Sequence, residues 1–559
     1  MRIGLDVGGT HTDAVVVGKG GIVATAKVLT DHSNLLNSIM AALKEVLSQV
    51  GAKSIRGITL STTLTTNALL EGKNEQVGVI VSSGPGIDPA YFGIGKAYYV
   101  IEGSIDHRGK EQKALDRRQL DAAIESCRQQ DLRSYALITK FSTRNPDQEL
   151  LMEAGLAGQA DFITAGHRLS GGLNFPRRIT TSYFNSSVWR QYNLFARAVE
   201  DGMAAIGLDA PVSVLKADGG TMSLTASRNQ PVQSILSGPA ASIMGIAALC
   251  LIDRDAVVLD IGGTSTDMAI FAAGNPLLEQ EGIPLCGRPT LVRALKTSSI
   301  ALGGDSAIRF INGSFTVGPD RIGPCMSARG KIPALMDALN VAGVAAFGDT
   351  NASQQGIAGL SKRAGVMPET AAREVIEKAV EKIKKGVSLM VTEINERPVY
   401  TVHDLLYSEH VDPACLYIVG GPAAVFAPLL SRALGLDTKV PRLHYVANAV
   451  GAALTRTTRD LELFADTERR MLLVPHLSVQ KSVGRDYTLE VARRDAENYL
   501  RASLATSGEP IDEAEVQILE ASSFNMVQGS TTVGRNIRVR CQIKPGYIPE
   551  YLNAVRSEC

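Results

Sequence analysis

Residues 256–270 read AVVLDIGGTSTDMAI, and this stretch decides the fold that the sequence predicts. An apolar run, a pair of glycines and a second apolar run indicate a strand, a tight turn and a returning strand. The turn combines bare backbone that an anion can approach, two threonine hydroxyls, and two carboxylates able to hold a hydrated Mg²⁺ against phosphate. These residues are Gly262, Gly263, Thr264, Thr266, Asp260 and Asp267. A single copy of the motif fits a plain hairpin equally well.

A second copy near the N-terminus favours a binding site over a plain hairpin. Residues 3–17 read IGLDVGGTHTDAVVV, and aligning Leu5 with Leu259 superimposes the glycine, threonine and aspartate positions of the two stretches. The matching residues are Asp6, Gly8, Gly9, Thr10, Thr12 and Asp13. A turn alone gives no reason to repeat a threonine and an aspartate beyond it. The copies lie 254 positions apart (260 minus 6), which fits two domains rather than a short stacked repeat.

The composition is that of a large chain with ordinary globular domains. The 559 residues are 45% hydrophobic and 20% charged with a formal net charge of zero, so neither nucleic acid nor an anionic membrane is an expected partner. No apolar run is long enough for a transmembrane helix, and a strand that begins almost at Met1 leaves no room for a signal peptide. The seven cysteines have no metal-binding spacing, so we expect buried free thiols and a cytoplasmic location.

Strands alternate with helices through the first part of the chain, which predicts an α/β layer. A threonine cluster with Asn67, within residues 62–72, stands at a helix start after a strand, as either an anion site or an ordinary N-cap. Residues 166–188 overlap the start of a helix predicted over 183–206, and we interpret them as a binding loop or a polar domain border. We expect three domains, at residues 1–190, 191–458 and 459–559.

Two helices rich in glycine and alanine are predicted over residues 238–249 and 446–456. Small residues at helical spacing let two helix backbones cross closely, and such a crossing between lobes would make a hinge; tight packing in one core is the simpler alternative. Gly420 and Gly421 follow a buried strand, where glycine suits a ligand that lies flat on the backbone. Beyond residue 460, short strands and one polar helix indicate a small α+β domain.

With these motifs assembled, the chain resembles the ATP-dependent hydantoinase and 5-oxoprolinase family, of the hydantoinase A alpha-subunit type, within the actin, Hsp70 and sugar-kinase superfold. The motifs cover most of residues 1–456, and STTLTTNALLEG together with DIGGTSTD is the most specific pair. The others are LDVGGTHTD, FSTRNP, ADGGTMS, SGPAA, VGP at 317–319 and IVGGPAA. The resemblance implies an α/β protein with two actin-like (ribonuclease H-like) lobes around a nucleotide cleft and a small C-terminal α+β domain.

For the site, the resemblance implies ATP and Mg²⁺ clamped between the two glycine motifs, with Asp6 and Asp260 at the metal. The residues expected to contact the nucleotide are Gly8, Gly9, Thr10, Thr12, Gly262, Gly263, Thr264, Thr266, Gly303, Gly304, Gly420 and Gly421. The catalytic candidates are Asp13, Asp267, Asn67 and Asp305. We expect the first two of these to bind metal-bound water or act as bases, and the last two to line a lactam pocket.

The implied reaction is ATP-dependent activation of a cyclic amide, such as a hydantoin, 5-oxoproline or another lactam, for ring-opening hydrolysis. The alternatives are an ATP-dependent carboxylase alpha subunit, a nucleotide-switched reactivating chaperone and a small-molecule kinase. Members of the family often act with a second, hydantoinase B-like subunit, and a homo-oligomer is also left open. Residues 303–306 (GGDS) and 323–331 (GPCMSARGK) depart from the pattern of the family near the expected substrate side.

Overall fold

The computed structural model describes residues 1–31, 33–279, 281–396, 410–505 and 515–556. The architecture is mixed α/β, with two lobes built on similarly ordered sheets and a further C-terminal domain. The predicted fold class is therefore confirmed. The two lobes meet at a cleft, and the strands that lead to the two glycine motifs lie at the centre of their respective sheets.

The N-terminal sheet has six strands, and its central strand Arg2–Val7 leads to the first glycine motif. In spatial order the strands are Thr221–Ser223, Val212–Leu215, Gly57–Thr62, Arg2–Val7, His11–Gly18 and Gly21–Leu29. The last three form an antiparallel meander, whereas Gly57–Thr62 and Val212–Leu215 run parallel to the central strand. The helices associated with this sheet are Leu35–Leu47, Leu64–Leu70, Phe175–Ala205 and Leu224–Ser227. Helices cover the sheet, which explains the nearly continuous apolar runs of its central strands.

A second sheet of four parallel strands extends the same lobe. In spatial order its strands are Phe162–Ala165, Ser134–Thr139, Gly78–Ser82 and Ala97–Val100. The helices that alternate with these strands are Arg117–Gln129, Asp147–Gly155 and Gly166–Leu169, and a small pair of strands, Ser104–Ile105 and Glu111–Lys113, lies beside them. The alternation of strand and helix is the one that the sequence predicts for this region.

The sheet of the second lobe repeats the order of the N-terminal sheet. Its strands are Asn275–Pro276, Thr266–Ala272, Ala256–Ile261, Cys415–Val419 and Asp437–Lys439, and Thr297–Ile300 also pairs with Thr266–Ala272. Each lobe thus has an antiparallel hairpin whose first strand pairs in parallel with a later strand. The helices of this lobe are Leu335–Val341, Thr350–Ala364, Pro368–Asn395 and Ala423–Leu434. Its smaller strand pairs are Leu278–Glu279 with Ala294–Leu295, Pro284–Leu285 with Arg288–Pro289, and Ser306–Ile311 with Ser314–Arg321.

The two small-residue helices, Ser237–Leu249 and Ala447–Leu454, cross in direct contact, as the sequence predicts. A Cβ atom on Gly245 would lie 1.9 Å from the carbonyl oxygen of Ala447, and one on Gly451 would lie 2.2 Å from that of Ala241. The two backbones therefore touch, and only glycine permits this approach. The crossing brings side chains of both helices to the cleft. Its role as a hinge stays a prediction.

The C-terminal domain is an antiparallel sheet with one covering helix. In spatial order the strands are Val479–Ser482, Met471–Val474, Asp460–Asp466, Thr531–Ile543 and Val516–Gln528, and the helix is Leu489–Ala505. The helix Pro549–Val555 then leaves this domain, because its Tyr551 and Val555 pack in the same core as Val15 and Val17 of the first hairpin. The expected domain at residues 459–559 is thus confined to the part before that helix.

The helix predicted over residues 183–206 begins much earlier, at Phe175. Asn174 caps it by accepting a hydrogen bond from the backbone N–H of Arg177, and the buried side chains include Arg178 and Asn185. The binding-loop interpretation of residues 166–188 is therefore wrong, because most of this stretch is a packed helix. The boundary expected at residue 190 also falls inside this helix, and the strands Val212–Leu215 and Thr221–Ser223 that follow it belong to the N-terminal sheet.

The cysteines agree only in part with the expectation of buried free thiols. Cys250 is disulfide-bonded, which corrects the expectation there. The free cysteines in the described part of the chain are Cys127, Cys286, Cys325, Cys415 and Cys541, and of these Cys286 is exposed.

Candidate functional site

The two glycine motifs form hairpins with the same register. In the first hairpin Asp6 lies opposite Asp13, and in the second Asp260 lies opposite Asp267. The turns are closed by equivalent backbone bonds, 3.0 Å from the N–H of Gly8 to His11 and 2.9 Å from the N–H of Gly262 to Ser265. The sequence repeat is therefore a structural repeat, in which each lobe contributes one glycine turn and one pair of carboxylates.

Asn448 joins the two hairpins and is a site residue that sequence reasoning missed. Its amide nitrogen donates to Asp6 Oδ2 at 3.1 Å and to Asp260 Oδ2 at 3.3 Å. Ser242, on the other small-residue helix, donates to the same oxygen of Asp260 at 2.5 Å. The crossing helices thus supply neutral donors to the carboxylates of both lobes. The available signal was an asparagine within the otherwise apolar stretch VANAVGAAL.

The turns approach each other closely enough to hold one ligand between them. A Cβ atom on Gly263 would lie 3.4 Å from Thr10 Oγ1 of the first turn and 2.8 Å from Asp305 Oδ2. The loop of residues 303–306 packs on the second turn, where the N–H of Gly304 donates to Gly262 at 2.9 Å and that of Asp305 donates to Gly263 at 2.8 Å. Three of the predicted segments therefore converge at one place.

The four threonines of the motifs divide into two kinds. Thr12 and Thr266 are fully buried, and the Thr266 hydroxyl donates to the carbonyl of Leu302 at 2.7 Å. The Thr12 hydroxyl lies 3.1 Å from that of Thr30, which in turn donates to Gly8 at 2.9 Å. These two hydroxyls brace the turns, and their expected role as phosphate donors stays a prediction. The more accessible threonines at the turns are Thr264, which is exposed, and Thr10, which is half-buried.

The carboxylates of the first hairpin differ in their partners. Lys27 donates to both oxygens of Asp13 at 2.8 Å and to the carbonyl of Tyr445 at 3.1 Å. Burial raises the pKa of Asp13, and the charge of Lys27 opposes that rise. The pKa of Asp6 is raised to about 7, mainly by burial and also by the nearby negative charges of Asp13 and Asp260. Asp6 Oδ1 is buried and accepts no hydrogen bond from any described residue.

In the second hairpin, the carboxylate that matches Asp13 has no cation opposite it. Asp267 lies across from Ser299, at the position that Lys27 occupies in the first lobe. The pKa of Asp267 is raised to about 6, mainly by burial and also by the charge of Asp260, and the hydrogen bond from Ser299 opposes the rise. Asp267 therefore has a raised pKa and, among the described residues, no cation to neutralise it, in contrast to its counterpart Asp13.

Asp305 lies beside the cleft but is already paired. Arg321 donates to its Oδ2 at 3.1 Å, and the backbone N–H of Cys325 donates to its Oδ1 at 3.0 Å. A cavity of about 330 Å³ opens next to Asp305. Residues of both segments that differ from the family pattern, 303–306 and 323–331, line this cavity, and Arg329 and Lys331 are among them. The two unusual segments therefore face each other across one opening.

The other predicted residues lie at the edges of the cleft. Gly420 has a φ of +95°, and a Cβ atom there would lie 2.7 Å from Asp260 Oδ1. A Cβ atom on Gly421 would have no described heavy atom within 4 Å, so this glycine faces open space. Asn67 is exposed and donates to Thr63 at 3.3 Å. Much of the threonine cluster ties to the first small-residue helix, since the hydroxyl of Ser237 donates to Thr62 at 2.9 Å.

The expected Mg²⁺ fits this arrangement. The described residues contain no group of three or more histidine, cysteine, aspartate or glutamate side chains that could form a protein-only metal cage. Mg²⁺ bound with a nucleotide needs only one or two carboxylates, because phosphate oxygens and waters complete its coordination. Asp6 and Asp260, with the unpartnered Oδ1 of Asp6 between the turns, supply such carboxylates.

This arrangement of two similar lobes with facing glycine turns defines the actin-like class of two-lobed α/β proteins. The hydantoinase/oxoprolinase family model matches residues 178–461, and the model of the N-terminal region of hydantoinase/oxoprolinase matches residues 2–157. The chain belongs to the hydantoinase/oxoprolinase family. The part of the C-terminal domain after residue 461 lies outside both matched ranges.

Two curated relatives give the extent of the similarity. The chain is 24% identical over 491 residues to caprolactamase subunit alpha of Pseudomonas jessenii, covering 81% of this chain and 69% of that protein. It is 23% identical over 542 residues to 5-oxoprolinase 1 of Arabidopsis thaliana, covering 83% of this chain but 42% of that protein. The chain therefore spans less than half of the plant protein.

Two solved structures share the fold over nearly the whole chain. The nucleotide-free structure of acetone carboxylase has a TM-score of 0.69 at 16% identity, covering 98% of this chain and 88% of that one. The ATP-dependent caprolactamase from Pseudomonas jessenii has a TM-score of 0.68 at 19% identity, covering 97% of this chain and 87% of that one. Among the described residues, no helix is both long and apolar enough to cross a membrane.

Proposed function

We propose that this chain binds Mg-ATP between its two glycine turns and uses the γ-phosphoryl group to activate a cyclic amide for hydrolysis. The observation that carries the proposal is the repeated pair of carboxylates, bridged across the lobes by Asn448. Membership of the hydantoinase/oxoprolinase family and the similarity to proteins named caprolactamase and 5-oxoprolinase support the choice of a cyclic amide.

The proposed chemistry overcomes the weak electrophilicity of an amide. The amide oxygen attacks the γ-phosphorus, the bond from that phosphorus to the bridging oxygen of ADP breaks, and an imidoyl phosphate forms. Water then adds to the activated carbon with loss of its proton, and the ring C–N bond breaks as the nitrogen gains a proton, which leaves an acyl phosphate on the opened chain. A second water hydrolyses this acyl phosphate, so that inorganic phosphate leaves and the carboxylate is released. The protein contributes position and charge stabilisation rather than covalent catalysis.

Within this proposal, the hydrogen-bond partners and the pKa of each residue determine its role. Asp6 and Asp260 hold Mg²⁺, which when bound neutralises phosphate charge, and backbone N–H groups of the glycine turns contact the phosphates. Asp267 accepts the proton of the attacking water, because its raised pKa leaves it ionised yet basic near neutral pH. Asp13 is the weaker candidate for this role, because Lys27 neutralises it.

A second subunit is part of the proposal. The caprolactamase relative is named as subunit alpha, and this chain covers 69% of that subunit. We therefore expect full ring-opening activity in the presence of a co-encoded partner, with nucleotide binding residing in this chain. A cytoplasmic location stays an expectation from the composition.

The test is release of phosphate from ATP by the purified chain, with and without a co-encoded subunit, across hydantoins, 5-oxoproline and larger lactams. We expect one or more lactams to stimulate release, with ring-opened acid formed in equal amount. Asp260→Asn should abolish the release, while Asp253→Asn, at an exposed surface aspartate, should not change it. A stable phosphorylated product would make the protein a kinase instead. Absence of stimulated release in every combination would contradict the proposal.

A further inference from the structure

A cavity of about 540 Å³ lies where the N-terminal lobe, the second-lobe segment of residues 281–293 and the C-terminal domain meet. This volume is within the range of about 300–1,000 Å³ that is typical of small-molecule sites. Lys216, in its wall, directly follows the strand Val212–Leu215, so the cavity opens at the same edge of the N-terminal sheet as Asp6. None of the residues predicted from the sequence to form the site lines this cavity.

The wall of the cavity carries charged groups that pair with each other. Lys216 lies 3.0 Å from Asp218, which also accepts from Thr458 at 3.2 Å. Arg538 lies 3.3 Å from Glu462 and 3.5 Å from Glu520. These pairs account for the charge of one part of the wall, and the bond from Thr458 to Asp218 joins the start of the C-terminal domain to the N-terminal lobe. They define the cavity but leave no group free for a ligand.

A second set of groups in the same wall has buried nitrogen atoms that make no hydrogen bond within the described part of the chain. These are the Nε atoms of Arg293 and Arg540 and the Nδ1 atom of His476. Arg540 Nε lies 4.0 Å from Glu462. The other ring nitrogen of His476 lies 3.2 Å from the carbonyl oxygen of Leu169. Among the described residues, Arg293 has one side-chain hydrogen bond, 2.7 Å from Nη2 to the side-chain oxygen of Gln542. The carboxylate of Asp460 likewise accepts no hydrogen bond within the described part of the chain. A buried donor without a partner destabilises the folded state, so such groups indicate a missing partner.

The groups of this second set and the carboxylate of Asp460 together have both signs of charge and face one another. Burial raises the pKa of Asp460, but the charges of His476, Arg293, Arg540 and Lys216 outweigh that effect and hold the pKa below its usual range. The carboxylate is therefore ionised inside a group of cations. Counting the whole wall, five lysine and arginine side chains face five carboxylates, so the cavity has no net formal charge with histidine neutral. A ligand of one sign would leave the opposite set unpaired.

We infer that this cavity is a binding site for a small zwitterion, an amino acid whose carboxylate pairs with Arg293 and Arg540 and whose ammonium pairs with Asp460. A planar carboxylate suits the parallel donors of a guanidinium. Hydrolysis of a cyclic amide produces this chemistry, because cleavage of one ring C–N bond leaves a carboxylate and an ammonium in the same molecule. The inference rests on the proposed function for its identification of the amino acid as a product.

The test is calorimetric titration of the full chain, without nucleotide, with 6-aminohexanoate, glutamate and 5-aminopentanoate. Hexanoate, hexylamine and ε-caprolactam are the matched probes that carry one charge or none. We expect at least one zwitterion to bind saturably, and each single-charge or neutral probe to bind at least tenfold more weakly. Equal binding of hexanoate would overturn the inference, and so would absence of binding by all three amino acids.

Two variants localise the binding to this cavity. Asp460→Asn keeps the shape of the side chain and removes its charge, and Arg293→Gln removes one guanidinium; each should weaken zwitterion binding at least tenfold. Asp253→Asn and Arg254→Gln, an exposed neighbouring pair, are the matched controls and should bind normally. Thermal unfolding checks that each variant is folded. If both folded cavity variants bind as the wild type does, the inference is overturned.

Failure of this inference is distinguishable from failure of the proposed function. Zwitterion titration needs no ATP turnover, and phosphate release needs no amino acid. Lactam-stimulated release without zwitterion binding would retain the proposed function and overturn the site. Binding of glutamate in preference to the products of every active lactam would retain the zwitterion site but overturn its identification as a product site.

Discussion

The two glycine hairpins have the same backbone but different charge. Both place an aspartate opposite an aspartate and close the turn with the same bond. In the first lobe the third strand then brings Lys27 against Asp13, whereas in the second lobe it brings Ser299 against Asp267. A repeated fold therefore holds two similar carboxylates in different electrostatic states. The comparison teaches that a motif repeat predicts geometry better than it predicts the role of each member.

The largest expected effect follows directly from this difference. Asp267→Asn should lower lactam-stimulated turnover by about 10²–10⁴-fold, the usual contribution of a general base, while ATP affinity changes little. Asp13→Asn should lower turnover less, because this carboxylate is already neutralised by Lys27. The measurement is steady-state phosphate release with calorimetric ATP affinity for both variants. An equal loss in the two variants would show that the asymmetry has no catalytic consequence.

Asn448 offers the next test, since its side chain donates a hydrogen bond to an aspartate of each hairpin. Asn448→Ala removes the donor shared by Asp6 and Asp260, and hydrogen bonds to charged acceptors are worth about 1.5–3 kcal/mol. We expect ATP affinity to fall about tenfold, because the turns lose their common anchor. Asn351→Ala, at an exposed position of the helix Thr350–Ala364, is the control for loss of an asparagine. Unchanged affinity in Asn448→Ala would remove this residue from the site.

Much of the site could be predicted because its parts are local in sequence. Two glycines between apolar runs fix a hairpin, and its repetition fixes the second lobe. Lys27 was harder to place, because a β-bulge between Val16 and Val17 shifts the register and brings Lys27 rather than Ala26 opposite Asp13. Ser299 could not be placed either, because an irregular segment separates it from Asp267 and its register depends on tertiary packing.

The parts that could not be predicted depend on contacts between distant segments. Asn448 acts only because two helices cross where their glycines let the backbones touch. Thr12 and Thr266 look equivalent to Thr10 and Thr264 in the motif, yet the alternation along a strand buries the first two. The long helix starting at Phe175 carries buried polar residues such as Arg178 and Asn185, so its N-terminal half has no apolar stripe to identify it.

Exchanging the neighbours of the two carboxylates should move the pH dependence of turnover. Asp267 must be ionised to act as a base, so activity should fall as the pH decreases through about 6. Ser299→Lys places a cation beside Asp267 and should shift this acidic limb to lower pH by about one unit, with slower turnover at neutral pH. Lys27→Ser is the reciprocal change and should leave the limb of Asp267 in place. A limb that moves in Lys27→Ser but not in Ser299→Lys would assign the base to Asp13.

The smallest expected effect concerns the thermal stability of the chain and Asp6, which lies near carboxylates of both hairpins. Burial raises the pKa of Asp6 to about 7, well above its value in an unfolded chain. Between pH 4 and 7 the folded state therefore binds more protons than the unfolded state, so this group stabilises the fold at low pH and the contribution is lost as the pH rises through about 7. Asp6→Asn cannot ionise, so the decrease in Tm from pH 5 to pH 8 should be about 1–2 °C smaller in this variant than in the wild type. The shift is small because 1 kcal/mol moves the Tm of a chain larger than 250 residues by less than about 4 °C. The measurement is thermal unfolding without nucleotide, with Asp253→Asn as the exposed control. If Tm falls with pH equally in Asp6→Asn and the wild type, ionisation of Asp6 does not destabilise the folded chain. Added Mg-ATP should raise the Tm of the wild type most at the higher pH, where Asp6 is ionised.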